Sequence, residues 1–217
     1  MMQDQVSLEK RCRGRPQVRS DDETRQVIIE AANDQFKQAG YASASISAIA
    51  RAAGVSTKTL YRLFPAKADL FSELISSKIN RYFLGMDPSS LAGLAPREGL
   101  ERLLLAYGRL TLSEETIMIT RLVLSESDRF PEIASVFYEQ AIIRTSKVME
   151  DWLSGQISLG AVKPVNVAMA IGMLRGMMTM EPQRTVMLGK VAGIPDDQIV
   201  ERARACADIF LDGCSKR

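Results

Sequence analysis

Histidine is absent from the 217 residues, and cysteine is scarce, with only Cys12, Cys206 and Cys214. Without an imidazole the chain lacks the commonest general base, the usual partner of an activated serine and the commonest zinc ligand. An odd, sparse set of thiols makes no disulfide framework and fits a reducing cytoplasm. Cys206 and Cys214 leave two readings open, a redox sensor or two small apolar residues on one helix. Long apolar runs are also missing. None approaches the ~18 residues that cross a bilayer, and the best candidate, 165–174, is stopped by Arg175. A secretory leader would place an apolar core directly behind its basic residues, whereas here glutamine, arginine and three acids follow. No glycine-rich phosphate loop and no cluster of cysteines with carboxylates is present. No catalytic residue, metal site, cofactor or membrane partner is therefore expected.

What is present is ordinary in amount and uneven in placement. Apolar residues make up 46 % and charged residues 25 %, as in globular proteins. The length suits one large domain or two small ones. Net charge is only +2, yet 40–68 carries Arg51, Lys58, Arg62 and Lys67 with no acid, while 114–151 carries eight acids against four bases. A basic first third on an acidic remainder points to a polyanionic partner for that third alone; chance clustering is the alternative.

The periodicity is helical nearly throughout, which predicts an all-α protein with no strand or repeat. Ser20 and Glu23 read as a capping box ahead of a helix bearing Ile28, Ala32 and Phe36, which Gly40 stops. Ser45 caps a short helix ending at Gly54, and Ser56 caps another that Pro65 closes. A longer helix carries Leu70, Phe71, Leu74, Ile75 and Ile79. Residues 85–96 read as a loop. Helices are then expected from Leu100, over about 114–127, from Pro131 to about 159, from Pro164 to about 180, and from Asp196 to about 212. Pro182, Gly189, Gly193 and Pro195 mark the last loop.

The stretch SISAIARAAGVSTKTLYRLF, 45–64, is two short helices around a tight turn. Ala50 is small where the axes approach, Gly54 falls where the turn needs a positive φ, and Val55 and Leu60 pin the pair. Those are the demands of a helix-turn-helix whose second helix enters a major groove. A purely structural hairpin would not need that helix to be basic and hydroxyl-rich outside. Ser56, Thr57, Lys58, Thr59, Tyr61 and Arg62 supply such donors, the kind that meet phosphates and base edges. The rivals are an enzyme, which has no residues to stand on, and a helical partner-binding protein, which would show no salt-sensitive DNA binding.

IARAAGVSTKTLYRLFPAKADLF, 49–71, resembles the signature of the TetR family of bacterial transcriptional regulators. Residues 121–140 and 172–176 resemble a subgroup that includes repressors of multidrug efflux. Lys58 departs from the pattern, since many members have glycine there, so no target sequence carries over. The resemblance implies a three-helix DNA-binding domain over 20–66 behind a flexible basic arm, 1–19. It also implies a helical bundle for effector binding and dimerisation over 67–217, with 67–84 as a linking helix. Ser45, Tyr61 and Lys67 would then meet phosphates, and Thr57, Lys58 and Thr59 base edges or nearby phosphates. The implied partners are a palindromic double-stranded operator, a second copy of the chain and a small apolar effector, the ligand releasing a repressor from DNA.

The second half is rich in methionine, an adaptable side chain suited to a promiscuous pocket and equally to an ordinary core. Tyr107, Phe137, Trp152, Met173 and Met177 are the pocket candidates. Arg144, on an apolar stripe, either meets an anionic effector or pairs with a nearby acid. Gly172, Gly176, Val200, Ala203, Ala207 and Phe210 are the candidate dimer surface, and the resemblance implies that two such helices from each subunit form a four-helix bundle. At the other end, KRCRGRPQ, 10–17, lies just ahead of the first helix. Its Arg13-Gly14-Arg15-Pro16 resembles the core of AT-hooks, which lie in narrow minor grooves. Arg13 and Arg15 are thus candidate groove contacts, against a solubilising tail.

Overall fold

Serine, asparagine and proline mark the helix starts in the computed structural model, which describes residues 19–83, 91 and 93–214. Arg13, Arg15 and Cys12 lie outside the described residues. The helices are α1 (Asp21–Ser43), α2 (Ile46–Ala52), α3 (Thr57–Leu63), α4 (Lys67–Phe83), α5 (Pro96–Thr111) and α6 (Glu114–Glu126). Then follow α7 (Pro131–Phe137), a π-helical turn (Tyr138–Ile143), α8 (Arg144–Ser158), α9 (Val167–Met187) and α10 (Asp196–Cys214). No strand occurs among the described residues. Ser20 forms the full capping box with Glu23. The side chains of Ser45, Ser56, Ser113 and Asn166 accept the N–H three residues on, at 3.0–3.2 Å. Pro96 and Pro131 open α5 and α7, where a missing N–H costs nothing.

Boundaries differ from the sequence expectation at two helices. α1 kinks at Gly40, where a stop is expected, and continues to Ser43. The helix expected from Pro164 starts at Val167 behind its Asn166 cap, and it runs to Met187 rather than about 180. Pro182, expected in a loop, is buried inside this helix. Proline in a helix interior costs ~3 kcal/mol, and packing of Pro182 and Val186 into the protein overrides that propensity. The rod from Pro131 to Ser158 also contains the π turn, an irregularity that apolar spacing does not reveal.

One core runs through both ends of the molecule. In the head it is built from Ile28, Ala32, Phe36, Ile49, Leu60 and Phe64. In the body α5 is the centre, presenting Leu100 and Leu104 to the core that also holds Ile171 and Leu174 of α9 and Ala203 and Ala207 of α10. Gly108 lets these helices converge: a Cβ there would lie 2.4 Å from Met178 Cε and 2.8 Å from Ile199 Cγ2. Between head and body sits an aromatic joint. Tyr41 lies 5.6 Å from Phe36, 5.8 Å from Phe71 of α4 and 5.3 Å from Phe130 ahead of α7, centroid to centroid.

Candidate DNA-reading head and effector cavity

The turn between α2 and α3 is closed by Val55 N–H donating to the Ala50 carbonyl at 2.9 Å, with Gly54 at φ 68. Ala50 and Leu60 are buried, so the two short helices are pinned as one unit. That leaves Ser56, Thr57, Lys58, Tyr61 and Arg62 on the exposed side, Tyr61 at 51 % exposure. Ser45 is exposed at the start of α2, its Oγ accepting from Ala48 N–H. Thr59 is half-buried, its hydroxyl 2.9 Å from that of Ser56.

Two of the expected DNA contacts are also bonded to other segments of the chain. Arg62 donates from both terminal nitrogens to the Asp21 carboxylate, each at 2.7 Å, which braces α3 against the start of α1. That hydrogen-bonded guanidinium holds the Asp21 carboxyl below its usual range. Lys67 is half-buried, donates to the Ala44 carbonyl at 2.8 Å and lies 4.5 Å from the Tyr41 ring centroid. Burial pushes its ammonium pKa down, while Glu126 and Glu132 pull it back up. The Tyr41 phenol is pushed up to about 12, by burial first and then by Glu132 and other carboxylates.

The body encloses a cavity of about 310 Å³. Ile75 and Ile79 of α4, Tyr107 of α5, Ile119 and Val123 of α6, Phe137 and Ala141 of the rod, and Arg175 and Thr179 of α9 line it. The rod's π turn passes the cavity, contributing Ala141 and Ile142; such turns recur at functional sites. Of the pocket candidates, Tyr107 and Phe137 are among its lining residues. Trp152 is not: its indole lies against Gly99 of α5, 3.0 Å from where a Cβ would stand. Met173 is 60 % exposed on the outer face of α9, and Met177 lines a separate groove with α10. Helical spacing places a residue on a face but not against a particular void, and α9 is apolar on more than one face.

Among the described residues Arg144 meets neither an acid nor the cavity; its Nη2 donates to Asn80 Oδ1 at 2.7 Å. Arg175, which in the sequence only ended an apolar run, is the cavity's guanidinium. A cation inside a methionine-rich helix was the available signal. It stands 5.2 Å over the Tyr107 ring, donates from Nε to Tyr107 Oη at 3.1 Å, and donates from Nη1 to Ser146 Oγ.

The dimer candidates divide. Ala203 and Ala207 are buried within the protomer, in the core with α5, and do not form an outer surface. Phe210 also packs toward that core, and Val200 is half-buried. Gly172 is exposed and Gly176 half-buried on α9. The apolar residues facing outward are Met169, Met173 and Met180 of α9, at 58, 60 and 57 %, with Ile209 of α10 at 64 %.

Two helices, α4 and α6, touch both the cavity and the head. α6 lines the cavity with Thr116, Ile119 and Val123. At its far end Glu126 accepts the N–H groups of Tyr41 and Ala42, at 2.8 and 2.7 Å. Near its start Glu115 accepts from Lys37 of α1 at 3.2 Å and from the buried Lys78 of α4. These lysines, Lys78 foremost, hold the Glu115 carboxyl below its usual range. Ile119 also lines a second cleft, about 250 Å³, that lies between α1 and α6.

Residues 28–74 match the family model for bacterial regulatory proteins of the tetR family, and 98–213 match that for the AefR-like transcriptional repressor C-terminal domain. The HTH-type transcriptional regulator YhgD of Bacillus subtilis is 24 % identical over 144 residues, 64 % of this chain and 72 % of that protein. The HTH-type regulator AcrR of Shigella flexneri is 48 % identical over 52 residues, 24 % of each chain. A crystal structure from Mesorhizobium loti, assigned to the same family, superposes with a TM-score of 0.77 at 23 % identity, covering 92 % of this chain and all of that one. The flavonoid-responsive regulator FrrA superposes with a TM-score of 0.71 at 26 % identity, covering 90 % of this chain and 99 % of its own.

Proposed function

The chain belongs to the TetR family of bacterial transcriptional regulators, DNA-binding proteins rather than enzymes, and we propose that it is a cytoplasmic homodimeric repressor released from its operator by a small molecule. The observation that carries this reading is α6, whose side chains line the cavity and grip the head. A ligand pressing on Ile119 or Val123 moves the helix that holds Tyr41 and Ala42 through Glu126. It shifts the equilibrium only as far as it favours the DNA-free arrangement. The match of 98–213 to a repressor domain and the flavonoid response of FrrA support a repressor with an effector.

On DNA, Thr57 and Lys58 read base edges, while Ser45, Ser56, Thr59 and Tyr61 meet phosphates or nearby edges. Lys67 adds to this with the donor capacity that its two carbonyl contacts leave, an ammonium having three N–H groups. Arg62 acts by holding α3 in place through Asp21. The arm places Arg13 and Arg15 in the adjacent minor groove. The dimer forms through the outward methionines of α9 and Ile209 of α10. A helix apolar on both faces needs both covered, and pairing sets two heads about one DNA turn apart, ~34–36 Å.

Selection of bound sequences from random duplexes, followed by anisotropy titration, tests the reading. A palindrome with half-sites at that spacing is expected. Tyr61→Phe should weaken binding to all sequences alike, Lys58→Ala should relax base preference, and deleting 1–17 should flatten the salt dependence without altering dimerisation. Binding indifferent to salt and sequence would sink the proposal.

A further inference from the structure

We infer that the cavity takes a small amphipathic carboxylate, whose charged end pairs with Arg175 and whose apolar body lies along α4 and α6. This rests on the effector-responsive reading above and names the ligand's chemistry.

The inference follows from where the cavity's hydrogen-bond donors are. Thr111, Thr120, Thr145 and Thr179 all border it, and each donates its hydroxyl proton to the carbonyl one turn back on its own helix. They offer methyl groups and acceptor lone pairs. Lys78 keeps N–H groups of its own, but its charge is already matched by the Glu115 carboxylate, and Gln183 gives one amide N–H to the Thr111 carbonyl. Thr116 accepts from Ser113, and Tyr107 accepts from Arg175, so each keeps a neutral hydroxyl proton; the lining cation without a carboxylate partner among the described residues is Arg175. Two of its five N–H groups are taken, by Tyr107 and Ser146, which leaves the outer edge of the guanidinium for a ligand.

Charge points the same way. Tyr107 and Ser146 are neutral, and among the described residues no carboxylate forms an ion pair with Arg175. A half-buried guanidinium without a counter-charge favours an anion, and a carboxylate matches its geometry with two parallel bonds. A cationic amphiphile finds no partner, since no acidic residue lines the cavity among those described. Size narrows the class further. At about 310 Å³ the cavity stands at the small end of ligand pockets, ~300–1,000 Å³. Its Ile75, Ile79, Ile119, Val123 and Phe137 walls suit a single ring system or a medium alkyl chain.

The test is calorimetric titration of the full chain with decanoate and 2-naphthoate, their primary amides, and decyltrimethylammonium. Carboxylates should bind once per chain, about 10- to 100-fold more tightly than the amides, the range of a charge-assisted hydrogen bond. Arg175→Gln should remove that preference, and Arg175→Lys should keep part of it. Should Arg175→Gln fail to fold, Ser146→Ala, which only loosens the guanidinium, should still weaken carboxylates selectively. Amides binding as tightly as carboxylates, preference for the ammonium, or no binding by any probe would each overturn the inference. A gel shift on the same preparation separates the two readings. Carboxylate binding that leaves DNA bound sinks the effector response alone, and DNA binding without any ligand binding sinks this inference alone.

Discussion

Gly40 sits at φ 75, ψ 175, inside what is otherwise one continuous helical stretch to Ser43. That combination belongs to a backbone region essentially confined to glycine. It breaks the hydrogen-bond run of α1 and turns two N–H groups toward the Glu126 carboxylate. A Cβ at Gly40 would lie 2.7 Å from Glu126 Oε1. Gly40→Ala should therefore combine backbone strain of ~1–3 kcal/mol with a disturbed carboxylate clasp. Denaturant titration should show a lower midpoint, and an unchanged midpoint would contradict the clasp. Cys206 is decided at the same scale. It is buried, and burial raises its thiol pKa, the reverse of what a reactive thiolate needs.

Among the elements, α6 couples to the head through charge as well as packing. Glu115 is paired with Lys78 and Lys37, and its carboxyl lies below the ordinary 4.5. A lowered carboxyl contributes stability above its unfolded value and loses it as pH falls through the folded one. Wild type should therefore melt above Glu115→Gln at neutral pH, and the gap should close as pH drops below about 4.5. A gap that holds through acid would show that the ion pairs are not its source. Solvent screening at a carboxylate 40 % exposed keeps the effect modest. At the junction of α5, α9 and α10, Gly108→Val should cost about 1–3 kcal/mol by overpacking, since Ile199 Cγ2 is 2.8 Å from the Cβ position. Thermal melting reads that directly.

For the whole molecule the outward methionines matter most. Met169, Met173 and Met180 with Ile209 place apolar side chains at 57–64 % exposure along the two last helices. On the proposed dimer, Met173→Glu combined with Ile209→Glu should halve the mass seen by light scattering and, by separating the two heads, sharply weaken operator binding. Retention of the dimer mass would move the interface to another face. Spacing alone puts Ala203 and Ala207 on an outer face, whereas the packing of α10 buries both within the chain. Small residues mark close helix approach, and here the approach is to α5 within the chain.

Much was already present in the linear sequence because its causes are local. Ser20, Ser45 and Ser56 cap helices by bonding three residues ahead, and Gly54 takes the positive φ its turn demands. The exposed basic face of α3 follows from the same short stretch. The cavity is different. Arg175 becomes its guanidinium only because Tyr107, 68 residues away, and Ser146, 29 away, meet it. Trp152 leaves the candidate pocket for Gly99, and Pro182 stays helical, for the same kind of reason. Capping and turn chemistry act within a few residues and can be read in order along the chain. Which apolar face meets a void, a neighbouring helix or a second subunit depends on contacts between distant segments, and the packed structure alone decides it.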